Sequence, residues 1–314
     1  MRNTLIIIAS IILSICTIVI VKYLSNAETN KKEEIIFQED FGTSSVMMIE
    51  SLPIPLSLTF AGENVPIEYI DVREKLDREL AVNCFLHSNT YLLIKRANRY
   101  LPQISKILSE NDLPDDLKYI PVIESGLANV VSPSKAVGFW QFLEGTAKEY
   151  GLEVSKEVDE RYNWKKSTQA ACDYFKWLNK RYNSWTLSAA AYNCGRTALN
   201  RFIDIQKVDN YYSLLLSEET ERYLFRALAL KLILSEPERY GYLIEYHEMY
   251  PYIDTYEVEI DKTIPDLASW AKKKGLTYRE LKYFNPWLRT NTLTVKKNKK
   301  YTIELPHANY RKAH

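Results

Sequence analysis

Val72, Leu76, Leu80 and Cys84 recur at intervals of four, the spacing that gathers apolar side chains into one stripe of an α-helix. Tyr91 to Leu108 continues with apolar residues at helical spacing. The stretch "NDLPDDLKYIPVIES" (111–125) adds Pro114 near a helix start, with Asp115 and Asp116 in the first turn, where proline and acidic side chains suit the exposed amide groups. Further helices are expected at Gly145–Tyr150, Thr168–Tyr182, Trp185–Tyr192 and Glu218–Leu234. Strand patterns are scarce before residue 250. Residues 71–245 are therefore expected to form one all-α domain, and the chain as a whole to be mainly α.

Beyond Pro251 the periodicity changes. "TYEVEI" and "KYTIELP" alternate as strands do, with short helical stretches at Ile264–Lys274 and Tyr278–Phe284 between them. A small α+β module of βααβ order is expected over 252–306. Residues 25–70, with "TNKKEE" and the two prolines of "LPIPL", read as a linker or pre-domain arm. Residues 307–314 read as a basic tail.

Leu5 to Val21 is an apolar run apart from small Ser, Thr and Cys, with Arg2 before it and Lys22 after it. Its length fits both a short bilayer span and a long signal core. The basic amino end predicts a cytosolic Arg2 and export of everything downstream. Residues 1–24 are thus expected to be a signal or membrane anchor, with Ser25-Asn26-Ala27 as a candidate cleavage site. The body would then lie on the outer side of the cytoplasmic membrane. Overall charge nearly cancels, with 41 Lys+Arg against 40 Asp+Glu, which gives no basic field for nucleic acid. Cys84, Cys172 and Cys194 lack ligand-like spacing, and the four histidines are scattered. Neither a disulfide framework, nor a metal site, nor a cofactor is expected. The 23 Tyr and 6 Trp suit cores and equally suit sugar-binding clefts.

One carboxylate breaks the apolar pattern. Leu117, Ile120 and Glu124 share a helical face, so Glu124 stands where a core residue would be expected. Ser125-Gly126 can close the helix just after it. At a helix carboxyl end the macrodipole opposes negative charge, and apolar neighbours do so by desolvation. Both raise a carboxyl pKa toward the range of a general acid working near neutrality. Pro121 is expected to bend this helix. By itself, a glutamate at a helix end is most often a surface residue.

Three later stretches alter that balance: "AVGFWQF" (136–142), "AAAYNCG" (189–195) and "EETERYLFRALAL" (218–230). With Glu124-Ser125 they resemble, in order and spacing over residues 112–234, the lytic transglycosylases of bacterial cell walls. In layout the chain is most similar to the membrane-bound lytic murein transglycosylase D group. The resemblance implies a goose-lysozyme-like helical catalytic domain that acts on peptidoglycan glycan strands without metal or cofactor. It implies Glu124 as the sole acid/base and Ser125 as the hydroxyl that holds substrate or orients the carboxylate. It further implies that Gln141, Tyr192, Asn193 and Tyr223 bind substrate. Phe139-Trp140 depart from the family's Leu-Met and either wall the cleft or fill the core. Tyr223 is equally compatible with a core position. Asp159 and Arg161 read as a structural ion pair.

The implied reaction cleaves the β-1,4 bond between N-acetylmuramic acid and N-acetylglucosamine and leaves a 1,6-anhydro end, as a lyase does. A muramidase on the same fold, and a catalytically inactive peptidoglycan-binding protein, are the alternatives. The 252–306 module resembles a LysM domain, with its "NPWL" ending, but "EIDKTI" replaces the usual Gly-Asp-Thr of the first loop.

Overall fold

The structure, a computed structural model, describes residues 51–308 together with Tyr310 and Arg311. The expected membrane segment at 1–24 and the first half of the expected arm lie outside the described residues. The helical body comprises α1 (Ile70–Phe85), α2 (His87–Glu110), α3 (Tyr119–Ser125), α4 (Glu144–Glu149), α5 (Trp164–Tyr182), α6 (Trp185–Cys194), α7 (Arg196–Gln206) and α8 (Glu218–Ser235).

Helix α8 is the axis of this body. Tyr223, Leu224, Phe225, Ala227, Leu228, Ala229, Leu230 and Ile233 are all buried, so its apolar surface runs around most of the circumference, as in a helix enclosed by others. Helices α1, α3 and α6 pack against it. Its amino end is fixed locally: the Ser217 hydroxyl accepts from the Thr220 amide at 3.4 Å, and Glu218, Glu219 and Glu221 occupy the first turn, complementing the macrodipole. The four-residue repeat of α1 faces inward, with Val72, Leu76, Leu80 and Cys84 buried. Beside them Glu79, also buried, accepts from Arg222 Nε of α8 at 2.6 Å.

Two expectations need correction. Of the two readings of residues 25–70, linker or pre-domain arm, the first fails for 51–67, which pack into the body. Thr59–Phe60 (β1) and Glu63–Asn64 (β2) form a small antiparallel hairpin, and Leu58, Phe60, Val65 and Ile67 are buried in the main core. The Glu63 carboxylate accepts from the Trp185 and Thr186 amides and from the Ser184 hydroxyl, so it caps the start of α6. Two-residue strands carry no periodicity, which is why the pattern looked irregular. The second correction concerns Pro121. The expected helix divides into a 3₁₀ turn (Asp115–Lys118) and α3. Pro121 therefore lies in the first turn of α3, where its missing N–H has no intrahelical partner to lose and the ring does not impose a bend.

The carboxyl-terminal module has β3 (Thr255–Ile260), α9 (Leu267–Lys273), α10 (Tyr278–Phe284) and β4 (Tyr301–Pro306). The strands pair antiparallel from Thr255 opposite Pro306 to Ile260 opposite Tyr301. Its separate core gathers Ile260, Leu267, Leu281, Trp287, Leu293 and Ile303. Asn285, fully buried, donates to the Glu304 carbonyl at 2.7 Å and accepts from the Glu304 amide at 2.8 Å, tying the turn after α10 to β4. Hydrogen bonds from Thr277, which begins α10, hold the Glu280 carboxyl down to about 2. In the described part of the tail, Tyr310 donates to the same carboxylate and Arg311 stands 3.4 Å from it.

The module docks on the 153–162 loop of the body. Val158 is buried within the module's core, the Asp159 amide donates to the Trp287 carbonyl at 2.9 Å, and the Arg289 amide donates to the Glu157 carbonyl at 2.7 Å. The Glu157 carboxylate accepts from the Thr294 amide at 2.8 Å, and Tyr301 donates to Glu153 at 3.0 Å.

The same loop clamps the segment 135–142. Arg161 donates from Nε and Nη2 to Asp159, at 2.9 and 2.7 Å, and from Nη1 to the Lys135 and Phe142 carbonyls, both at 3.2 Å. The planar fork suits several fixed acceptors at once. Gly138 passes beneath it with φ +82°, and a Cβ there would meet the Arg161 carbonyl oxygen at 2.0 Å. Gly138→Ala is expected to destabilise the protein by roughly 3–5 kcal/mol, from left-handed strain plus backbone overlap. Chemical denaturation of the two proteins side by side checks this.

Candidate active site

Gly126, at φ +58°, ends α3 by returning its amide to the Val122 carbonyl at 2.9 Å. Only glycine takes this left-handed position without strain. Glu124 is thereby left on the last turn, half-buried, with its side chain against α8. Tyr223 donates to Glu124 Oε1 at 2.6 Å. Burial pushes the Glu124 carboxyl up to about 7; the Tyr223 hydrogen bond and the nearby Arg226 guanidinium pull it down, and the Glu219 carboxylate pushes it up. Burial dominates, the direction expected from the sequence.

The four sequence stretches close a ring of hydrogen bonds. Ser125 Oγ donates to the Phe139 carbonyl at 2.9 Å and shares that proton with the Pro121 carbonyl at 3.0 Å. Tyr192 donates to the Trp140 carbonyl at 2.7 Å. Thr220 donates to Asn193 Oδ1 at 2.8 Å. One turn further along α8, Tyr223 returns to Glu124. Each link joins two stretches, so the relative placement of all four is fixed by polar contacts as well as by packing.

Within the ring the residues differ in what they leave available. The Ser125 proton is committed to carbonyls, so this side chain holds the 139–141 turn against the end of α3 and makes no bond to the Glu124 carboxylate. Trp140 is fully buried and donates from Nε1 to Thr168 at 2.9 Å. Phe139 is buried and meets Tyr100 edge-on at 4.9 Å. Trp140 fills the interior, which answers the wall-or-core question for that residue, whereas Phe139 packs in the core and also lines a pocket. Gln141 takes the opposite course: at φ +48° it turns outward half-buried, with its amide nitrogen donating to Gly138 and Val130 carbonyls at 2.7 and 3.2 Å. Its Oε1 is left to accept. Tyr192 stacks on Phe175 at 4.9 Å with the rings 5° apart. Tyr223 is both core and site, having no exposed surface yet reaching the carboxylate.

Sequence reasoning passed over Thr220, Arg226 and Glu219. All three lie on α8 within one turn of Tyr223, Thr220 and Arg226 at three residues and Glu219 at four, the spacings of a shared helical face. The Nε of Arg226 is buried with no hydrogen-bond partner, and the guanidinium of this half-buried residue lies 5.9 Å from the Tyr223 ring centre, which places a cation beside the Glu124–Tyr223 pair. Among the described residues no group of three His, Cys, Asp or Glu side chains gathers at metal-binding range, and Cys84, Cys172 and Cys194 are free thiols. A depression of about 610 Å³ on α2, lined by Pro102, Ser105 and Lys106, contains no residue of the ring.

A helical body with one half-buried glutamate at a helix end, followed by a docked βααβ module, has a counterpart among known families. Residues 103–214 match the transglycosylase SLT domain, and residues 256–309 match the soluble lytic transglycosylase C-terminal LysM-like domain. The chain thus carries an SLT domain and a LysM-like domain in series; Tyr223 lies just beyond the matched SLT stretch. Over 232 residues it is 29% identical to membrane-bound lytic murein transglycosylase D of Escherichia coli (strain K12), covering 71% of this chain and 49% of the relative. A putative tributyltin chloride resistance protein of Alteromonas is 32% identical over 121 residues, 38% of this chain and 58% of the relative. The chain spans about half the length of the first of these relatives and somewhat more of the second. Among solved structures, an inactive mutant of lytic transglycosylase Slt from Pseudomonas aeruginosa aligns with a TM-score of 0.36 and 15% identity, over 57% of this chain and 33% of that one.

The raised Glu124 value has a consequence for stability. A carboxyl that titrates higher in the folded protein than unfolded favours folding when protonated. That advantage is lost as pH rises from the ordinary value of 4.5 through about 7. Glu124→Gln should therefore stabilise the protein at pH 8, by at most about 3 kcal/mol, and make no difference at pH 4. Thermal unfolding of both proteins at the two pH values checks the sign.

Proposed function

We propose that this protein is a peptidoglycan lytic transglycosylase, exported to the cell envelope and held at or released from the outer side of the cytoplasmic membrane by residues 1–24. The observation that carries the reading is Glu124, a half-buried carboxyl that burial pushes up to about 7 and that accepts a hydrogen bond from Tyr223 on one oxygen. Because Oε1 accepts the tyrosine proton, the acid's own proton belongs on Oε2, where it is free to be given.

Protonated Glu124 donates to the oxygen linking C1 of N-acetylmuramic acid to N-acetylglucosamine. The C1–O bond breaks with its electron pair on the leaving oxygen, while the 2-acetamido oxygen bonds to C1 from the opposite face. Glu124, now ionised, takes the proton from the C6 hydroxyl; O6 bonds to C1 as the acetamido oxygen leaves. The products together have the composition of the substrate, and water is not consumed. Arg226 supports the ionised carboxylate between the two proton transfers. Gln141, through its open Oε1, and Asn193, through its amide NH₂, are positioned to bond acetamido and hydroxyl groups. Tyr192 and Ser125 keep the 139–141 turn in place. The LysM-like module extends the glycan-binding face.

A muramidase is the second reading, and Glu219 is the observation that favours it: this is a second carboxylate close enough to act on Glu124. In that case it would activate a water. Digestion of purified sacculi with the full chain in detergent, followed by mass spectrometry, separates the two. Muropeptides ending in 1,6-anhydro-muramic acid are expected, lost by 10²–10⁴-fold (roughly, for one general acid) in Glu124→Gln and retained in Glu219→Gln. Reducing ends, one water heavier and dependent on Glu219, would mean hydrolysis.

The pH profile offers a separate check. Glu124 must be protonated to act, so the rate should fall above pH of about 7. Tyr223→Phe removes a bond that favours the ionised form, so it should move this alkaline limb to higher pH while lowering the maximal rate.

A further inference from the structure

Between the helical body and the LysM-like module lies a pocket of about 450 Å³, within the ~300–1,000 Å³ usual for small-ligand sites. Arg96, Arg99 and Tyr100 of α2 form one side, Leu127 and Phe139 the floor, and Lys282 and Tyr283 of α10 the other side. None of these residues belongs to the hydrogen-bonded ring apart from the Phe139 carbonyl.

Its cations lack counterions. Arg99 donates from Nε to the Pro251 carbonyl at 2.9 Å and from Nη1 to the Tyr283 hydroxyl at 3.2 Å, both neutral oxygens. Arg96 reaches only the Leu92 carbonyl of its own helix, at 3.4 Å from Nε. Its two terminal nitrogens stand 3.7 and 3.9 Å from where a Cβ on Gly126 would be. Among the described residues, neither arginine has a carboxylate within ion-pair distance. Lys282 donates to the Leu288 and Thr290 carbonyls, at 2.9 Å for the latter, so its ammonium is engaged outside the lining, and burial pushes it down to about 8. The one acid of the lining, Glu304, is engaged by Lys165 at 2.9 Å and Thr255 at 3.0 Å. Two guanidinium forks without carboxylate partners, lining a half-enclosed, aromatic-walled space, call for an anionic occupant, and they suit carboxylates above other anions of that size.

The pocket also adjoins the glutamate along the chain. Leu127 follows Glu124 by three residues, so their Cα atoms lie within roughly 11 Å. Under the lytic reading, on which this inference rests, the muramic acid bound at Glu124 carries a peptide on its lactyl group, and that peptide bears free carboxylates. We propose that the interdomain pocket is the subsite for this acidic peptide. Arg96 and Arg99 grip its carboxylates, and the rings of Tyr100, Phe139 and Tyr283 pack on its aliphatic parts. The LysM-like module is then half of a substrate site, in addition to anything it does for glycan.

The test uses the full chain in detergent and two probes. A synthetic acidic tetrapeptide, titrated calorimetrically, should bind the wild type, bind at least about tenfold more weakly to Arg96→Ala, with Arg96→Lys intermediate, and lose affinity when its carboxylates are amidated. In digestion, the ratio of kcat/KM on intact sacculi to that on glycan stripped of peptide by an amidase should fall about tenfold in Arg96→Ala. Circular dichroism of each variant guards against misfolding. Equal peptide affinity in wild type and Arg96→Ala, or no peptide binding at all, overturns the proposal, as does an unmoved ratio. If neither sacculi preparation is cut while the peptide still binds through Arg96, the pocket stands and the lytic reading falls.

Discussion

The Arg161 guanidinium is the fixed point from which the rest of the arrangement follows. It meets the Asp159 carboxylate through two nitrogens and the Lys135 and Phe142 carbonyls through a third. Both partners of the ion pair are nearly buried, so its removal would strand a charge rather than merely lose a contact. The segment 135–142 has no regular secondary structure to hold it. Its shape comes from this clamp, from two single bridges at Val137, and from the close passage of Gly138 under the Arg161 carbonyl.

From that fixed turn, order propagates in two directions. Inward, the Phe139 and Trp140 carbonyls receive Ser125 and Tyr192, and the ring continues through Asn193 and Thr220 to Tyr223 and Glu124. A carboxyl held in a poorly hydrated site needs such a frame, because desolvation alone would let it turn toward water. Outward, the loop that supplies Asp159 and Arg161 also supplies Val158 to the core of the carboxyl-terminal module. The clamp on the 135–142 turn and the docking of the module are therefore built on one short loop.

Much of this was legible in the order of residues. The repeat Val72, Leu76, Leu80, Cys84 marked α1, the alternation of "TYEVEI" and "KYTIELP" marked a strand pair that indeed closes the module, and Glu124 stood out by interrupting an apolar face. Asp159 and Arg161 read as a structural pair, as they are. What escaped was set by partners distant in sequence. The 51–67 segment has no period of its own, and its burial depends on Glu63 meeting the amides of Trp185 and Thr186. Pro121 looked like a bend because the 3₁₀ break before α3 depends on packing. Arg226 gives no signal beyond its helical phase with Tyr223, since its significance lies in standing beside a carboxyl from another helix.

The sequence by itself determined most of the elements: the helical stretches of α1, α2, α5, α6 and α8, the stop at Gly126, and which polar residues stand on apolar faces. Those features rest on backbone preferences and side-chain periodicity, which act over a few residues. Only the tertiary structure decided what the polar residues do. Burial against α8 raises the Glu124 carboxyl, the Phe139 carbonyl takes the Ser125 proton, and Arg96 and Arg99 face a space closed by a module 150 residues downstream (roughly, along the chain). Desolvation and hydrogen-bond partnership are properties of what surrounds a group, and those surroundings come from chain segments that meet only on folding.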